Sequence, residues 1–401
     1  MNIKSLLLGS AAALAAVSGA HAADAIVAAE PEAMEYVRVC DAFGTGYFYI
    51  PGTETLLGSA AALAAVSGAH AADAIVAAEP EAMEYVRVCD AFGAGYFYIP
   101  GTETCLKIGG RVRTQVNFAD GNASNWQSYT QGYLTFAAKS DTDLGALTAY
   151  INLQADTDKQ YGKTDGTRGL GGVALDGAWI NLAGFDVGYF YNWWDQYGIA
   201  GETGSLGGNL VNSARYTYDG GAFSAGVAIE DLRKQPAQNR SSNNDLGTSA
   251  LLLGTVGGVK ALVIGSYDFD VDEAAFKGVV TAEVGPGSLE IAGVYATDPS
   301  AYWSKSEWSV AAAYALKASE KLKITPGVQY YGNVDQKAFG GTAVGFSNDD
   351  AWTAGLTAEY LITDGLKTLA TVNYTKVDYD KTPAGVDDDN WTGFLRLQRD
   401  F

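Results

Sequence analysis

Alternation of side-chain character at the two ends of the chain limits its fold more than any other feature. Over Asn390–Phe401 (NWTGFLRLQRDF) the odd positions Trp391, Leu395, Leu397 and Phe401 are apolar. The even positions Asn390, Thr392, Arg396, Gln398 and Asp400 are polar, with Arg399 and Phe394 as the exceptions. Over Cys105–Phe118 (CLKIGGRVRTQVNF) Leu106, Ile108, Val112, Val116 and Phe118 share one face, and Lys107, Arg111, Arg113, Gln115 and Asn117 the other. A period of two is the mark of a β-strand. An edge strand leaves backbone N–H and C=O groups unpaired. Two such strands at the ends of a long β chain are therefore expected to pair and close a barrel, and the arginines make its interior wet.

Composition supports this and removes other classes. Charged residues are 18% and mean hydropathy is -0.01, as expected when polar and apolar residues alternate rather than segregate. Past the amino-terminal region no apolar run approaches the roughly 20 residues that a spanning helix needs. The net charge of -20 comes with no basic stripe, which argues against nucleic acid as a partner. The only histidines are His21 and His70, in segments expected to be removed or unfolded. Without them the usual general base of serine and cysteine hydrolases is missing, so no enzyme and no cofactor are expected.

Residues 1–22 read as an export signal: Lys4, a short apolar core from Leu6 to Val17, and the small-residue site Ala20-His21-Ala22. Leu7–Thr55 then recurs as Leu56–Thr104, displaced by 49 positions, with Thr45 replaced by Ala94 as the one difference. Identity this close is a tandem duplication rather than a solenoid repeat. Residues 23–71 are expected to be removed or unstructured, residues 72–104 to form the amino-terminal segment of the mature chain, and residues 105–401 the barrel. Processing at Ala22 alone would leave 23–71 attached. Cys89 and Cys105 are 16 apart, and an exported chain is expected to pair them, a closure worth on the order of 3 kcal/mol. Cys40 has no equivalent partner, because Leu56 stands where the second copy has Cys105. Three free thiols is the alternative; no C-x-x-C or nearby histidine supports a metal site.

From Cys105 onward, alternation and turn chemistry predict sixteen strands: 105–118, 128–139, 146–156, 174–183, 186–192, 212–218, 222–230, 248–255, 259–268, 274–283, 288–296, 306–316, 321–331, 351–361, 367–378 and 390–401. Short turns such as Gly257–Gly258 and Gly285–Gly287 alternate with mostly longer loops such as Thr157–Val173, Trp193–Val211 and Asp231–Gly247. This puts short turns on one rim and long loops on the other, as in a bacterial outer-membrane barrel reached through the periplasm. Tyr331, Trp352, Tyr360, Tyr374 and Trp391, near strand ends, suit interfacial girdles, with core packing as the alternative. The expected fold is an all-β, sixteen-stranded antiparallel transmembrane β-barrel with an inward-folded third loop.

A barrel of sixteen strands is too wide for side chains to fill, so a water channel is expected. The third loop, Trp193–Val211, is glycine-rich and carries Asp195 and Glu202. Arg111, Arg113, Arg396 and Arg215 fall on lumen-facing positions. Acids on the loop opposite arginines on the wall would create a transverse field that screens small polar solutes by size and charge; ordinary solvated charges are the alternative. Asp268, Asp270 and Asp272 imitate half a calcium loop, but Glu273 and Val279 occupy its Gly and Glu positions. Asp387–Asp389 with Asp378 and Asp380 read as an exposed acidic loop, open to divalent cations that bridge it to lipopolysaccharide.

Glu84–Arg113 (EYVRVCDAFGAGYFYIPGTETCLKIGGRVR), with the ending FLRLQRDF, resembles the general porins of alphaproteobacteria. The resemblance implies a homotrimer in the outer membrane that passes small hydrophilic solutes and ions by passive diffusion. It also implies that Phe401 is the terminal signal read by barrel-insertion machinery. A structural or adhesive barrel with an occluded lumen is the reading from another class.

Overall fold

The computed structural model describes residues 47–50, 55–58, 87–120, 126–157, 173–233, 245–339, 345–380 and 387–401. The export signal, both expected processing sites, Cys40 and the middles of several long loops lie outside the described residues.

Sixteen antiparallel strands close into one barrel. In order they are β1 (Cys105–Ala119), β2 (Trp126–Ser140), β3 (Leu147–Asp156), β4 (Ala174–Leu182), β5 (Phe185–Tyr191), β6 (Leu210–Asp219), β7 (Phe223–Asp231) and β8 (Leu246–Val256). The second half is β9 (Val259–Asp268), β10 (Glu273–Val284), β11 (Gly287–Ala296), β12 (Ser306–Lys317), β13 (Leu322–Val334), β14 (Asp350–Thr363), β15 (Leu366–Asp378) and β16 (Asp389–Asp400). Every expected strand forms.

Closure is made by β16 on β1, with Arg396 opposite Gln115 and Gln398 opposite Arg113. Phe401 and Gly110 exchange backbone hydrogen bonds of 2.9 and 3.0 Å. A Cβ at position 110 would lie 2.9 Å from the Phe401 ring and 2.3 Å from the Tyr133 carbonyl, so only glycine lets the seam close there. Arg399, the charge on the outer face, donates to the Asp364 carbonyl at 2.9 Å and so caps the neighbouring turn.

The outer face is apolar: Val112, Ile151, Val227, Leu252, Val263, Val310 and Leu395 are each 45–65% exposed, a surface that lipid rather than water must cover. Trp308 packs on Tyr330 (5.4 Å), and Trp352, Tyr374 and Trp391 follow one another (5.3 and 4.9 Å) near the long-loop rim. Phe185–Tyr216 and Tyr218–Phe223 do the same at the short-turn rim. Tyr331 does not belong to a girdle. It shares the inward face of β13 with Thr325 and Gln329, is buried, and stacks on Trp303.

The interior is wet on part of its circumference only. Gln115, Gln131, Thr148, Thr357, Thr371 and Gln398 line the inner face of β1–β3 and β14–β16. On β8–β12 the inner face is apolar, with Leu251, Leu262, Ile264, Val279, Ala292, Val294 and Ala311 buried in one cluster. The loops that cover this arc explain the difference.

The disulfide Cys89–Cys105 is formed, with Cα atoms 6.0 Å apart, and is buried with Tyr96. Phe97 and Tyr98 pair with Leu106 and Cys105. The first copy of the repeat makes the same hairpin register, Phe48 opposite Leu57 and Tyr49 opposite Leu56, in a separate two-stranded sheet. The hairpin is thus encoded locally; the disulfide belongs to the second copy.

Candidate pore constriction

The third loop, between β5 and β6, is fixed by a series of lumen-facing side chains. It opens with a single turn of helix, α1 (Trp193–Gln196), whose Trp193 and Trp194 are buried. The Trp194 indole N–H donates to Ser266 Oγ on β9 at 2.9 Å. The fully buried Lys277 on β10 donates to the carbonyls of Trp194 and Leu206, so one ammonium ties both limbs of the loop. Farther along, Ala200 N–H donates to Glu290 on β11 (2.5 Å) and Ser205 N–H to Gln329 on β13 (2.6 Å). Glu202 N–H donates to Thr357 on β14 (3.0 Å), and Asn373 on β15 donates to the Glu202 carbonyl (3.1 Å). The loop therefore lies inside the ring of strands, along β9–β16. Among the described residues none of its hydrogen bonds goes to β1–β4.

A second loop, residues 297–305 between β11 and β12, braces the first. Tyr302 and Trp303 are buried; the Tyr302 hydroxyl donates to Glu230 at 2.6 Å, and Glu230 also accepts from Ser249 at 2.8 Å. Asn209 donates to the Ala301 carbonyl at 2.7 Å. Gly207, at φ +80°, sits where a Cβ would be 2.7 Å from the Tyr302 carbonyl. The two loops pack so closely that position 207 has no room for a side chain.

The six expected constriction residues separate into three groups. Glu202 at the loop tip lies 3.7 Å from Arg396, whose Nε donates to Gln115 at 2.6 Å. Arg111 and Arg113 stand beside Arg396 on the adjoining strand and act on it as like charges. Their guanidinium groups lie over Tyr133 (4.3 Å) and Tyr129 (5.8 Å), and both Nε atoms are buried without a hydrogen-bond partner. Arg215 belongs elsewhere. It pairs with Asp186 on the next strand at 2.8 Å, donates to Gln196 at 3.3 Å, and covers the Phe190 ring. Its charge is answered within the wall rather than by the loop acids.

Asp195 also lies away from the arginine group, because α1 holds it at the loop root. Its electrostatic neighbours are Lys277 and Asp176. Enclosure by the surrounding wall raises its pKa above the usual aspartate range, the Lys277 ammonium works against that rise, and the Asp176 carboxylate adds to it.

Sequence reasoning missed Asp176, Asp186, Lys277, Glu290 and Glu230. Asp176 sits at a β-bulge, between Leu153↔Leu175 and Asn152↔Gly177, and accepts a hydrogen bond from the Tyr191 hydroxyl at 2.9 Å. A bulge re-aims a side chain without changing composition. Lys277 was readable as a charge set between the small or apolar Ala275 and Val279 on an inner face, and Glu290 as a charge beside Ala292 and Val294.

Comparison with known proteins accords with this geometry. Residues 24–58 and 73–401 match the family described as the porin subfamily, the two segments starting at equivalent positions of the repeat, Asp24 and Asp73. The chain is 42% identical to outer membrane protein IIIA of Rhizobium leguminosarum bv. viciae, over 93% of this chain and 90% of the relative. It is 34% identical to porin Omp2a of Brucella suis, over 100% of both. Among solved structures, the outer membrane channel DcaP of Acinetobacter baumannii superposes with a TM-score of 0.59 at 12% identity, over 76% of this chain and 99% of that one, a likeness of fold alone. By its family match and its relatives, the chain belongs to the porin subfamily and is a β-barrel protein of the bacterial outer membrane.

Proposed function

We propose that the protein is a passive, water-filled diffusion channel for small hydrophilic solutes and ions, assembled as a homotrimer and without catalytic activity. The observation that carries this reading is the path of the third loop. It narrows the barrel from one side, and among the described residues none of its hydrogen bonds reaches β1–β4, which supports a polar gap between loop and that wall. Glu202 and Asp195 on the loop side, and Arg111, Arg113 and Arg396 on the wall, give that gap its transverse field. Arg215, answered by Asp186 within the wall, is not assigned to that field. The trimer rests on the family and on the apolar outer face.

The mature chain is proposed to begin near Ala72. The second family match starts at Asp73, and the buried Cys89–Cys105 bond uses no residue of the first copy. Phe401, docked at the seam, is proposed as the signal for insertion. Planar-bilayer recording on trimers purified from outer membranes tests the channel: stepwise, ohmic KCl conductance is expected. Folded trimers that insert without conducting would favour an occluded structural barrel and sink this reading.

A further inference from the structure

We infer that the loop-free wall of the channel carries a binding subsite for flat organic anions, aromatic carboxylates in particular. The inference rests on the channel reading above and names a solute class for it. Two observations define the site. First, the guanidinium groups of Arg111 and Arg113 make no hydrogen bond or ion pair among the described residues, whereas Arg215 and Arg396 each have a carboxylate partner. Two positions apart on one face of β1, the two residues have Cα atoms roughly 7 Å from each other. Placing two unneutralised cations side by side is costly unless an anion visits them. Second, the surroundings are aromatic. Each guanidinium lies over a tyrosine, Arg111 on Tyr133 and Arg113 on Tyr129. Next along the wall, Tyr150 stacks on Trp179 with centroids 4.5 Å apart and planes at 21°.

Together these select the ligand. An inorganic anion would use the charges and leave the rings idle; a neutral sugar would use the rings and leave the guanidinium groups unanswered. A planar carboxylate uses both. Its ring lies on a tyrosine–arginine stack while its carboxylate accepts from the N–H edge of the other arginine. The third loop, anchored on β9–β16, leaves this wall open to the lumen.

The test is block of KCl current through purified trimers in planar bilayers by sodium benzoate and by sodium cyclohexanecarboxylate, which match in charge and nearly in size but differ in flatness. Benzoate is expected to half-block at a concentration about three- to tenfold lower, the range that aromatic stacking supplies. The double variant Tyr129→Leu/Tyr133→Leu is expected to equalise the two anions, and Arg111→Gln/Arg113→Gln to abolish block by both. Equal block by the two anions in the unaltered protein, or no block by either, would overturn the subsite while leaving the channel intact; neither outcome depends on a variant folding. A benzoate preference that survives loss of both tyrosines would also overturn it. Absence of KCl current would remove the channel reading and the subsite with it.

Discussion

The two sides of the lumen are built on opposite principles. Along β8–β12 the wall is largely apolar, and Lys277 and Glu290 on it engage the loop, Lys277 through two carbonyls and Glu290 through an N–H; Glu230 on the adjoining β7 binds Tyr302 and Ser249. From β16 through β3 the wall is polar and aromatic, and its Arg111 and Arg113 guanidinium groups make no ion pair among the described residues. The first side behaves as a protein core that happens to be inside a channel; the second behaves as a surface. On the proposed reading, loop anchoring and solute contact fall on different arcs of one barrel.

The most disruptive way to break this contrast is Lys277→Met. Removing the ammonium leaves the Trp194 and Leu206 carbonyls unpaired in an enclosed site, at a cost of about 2–3 kcal/mol to loop anchoring. Single-channel current is expected to become larger and noisier. An unchanged, quiet current would show that the remaining anchors suffice. A milder change is Glu202→Gln, which frees Arg396 and adds a third unanswered guanidinium to the open wall. Ion preference should move towards anions by no more than about fivefold, since half-exposed pairs are worth under about 1 kcal/mol. A reversal potential that stays put would take Glu202 out of the constriction.

The smallest effect concerns pH. Asp195 has its pKa raised by enclosure and by Asp176, against the pull of Lys277. A raised carboxylate pKa means that the charge is lost on acidification before ordinary aspartates protonate. Cation preference should therefore fall as pH drops towards the usual carboxylate range, earlier than ordinary aspartates would give, and Asp195→Asn should flatten that part of the profile. A profile identical in the variant would mean that the permeating ions do not sense Asp195.

Much of this could be read from the chain. Alternation located all sixteen strands and the seam, because a barrel with lipid outside and water inside needs a period of two. The same rule was misleading on β8–β12, where segments such as ALLLG and ALVIG are apolar on both faces. That double-sided apolarity was itself a usable signal that something covers the inner face. Asp176 gave no sign of its position, because a bulge shifts register without a compositional mark. The division between Glu202 and Asp195 was equally hidden. It depends on which distant wall residues, Ser266, Lys277 and Gln329 among them, hold each part of the loop. Tyr302 gave no local pattern that marked it as a brace.

The central claim is that unneutralised positive charge on the loop-free wall governs what the channel admits. Its most direct test is the reversal potential across a KCl gradient for the unaltered trimer and for Arg111→Gln/Arg113→Gln. The account predicts a clear shift towards cation preference in the double variant, with stepwise conductance retained. An unchanged reversal potential would contradict it, because the two arginines would then lie outside the path that ions take.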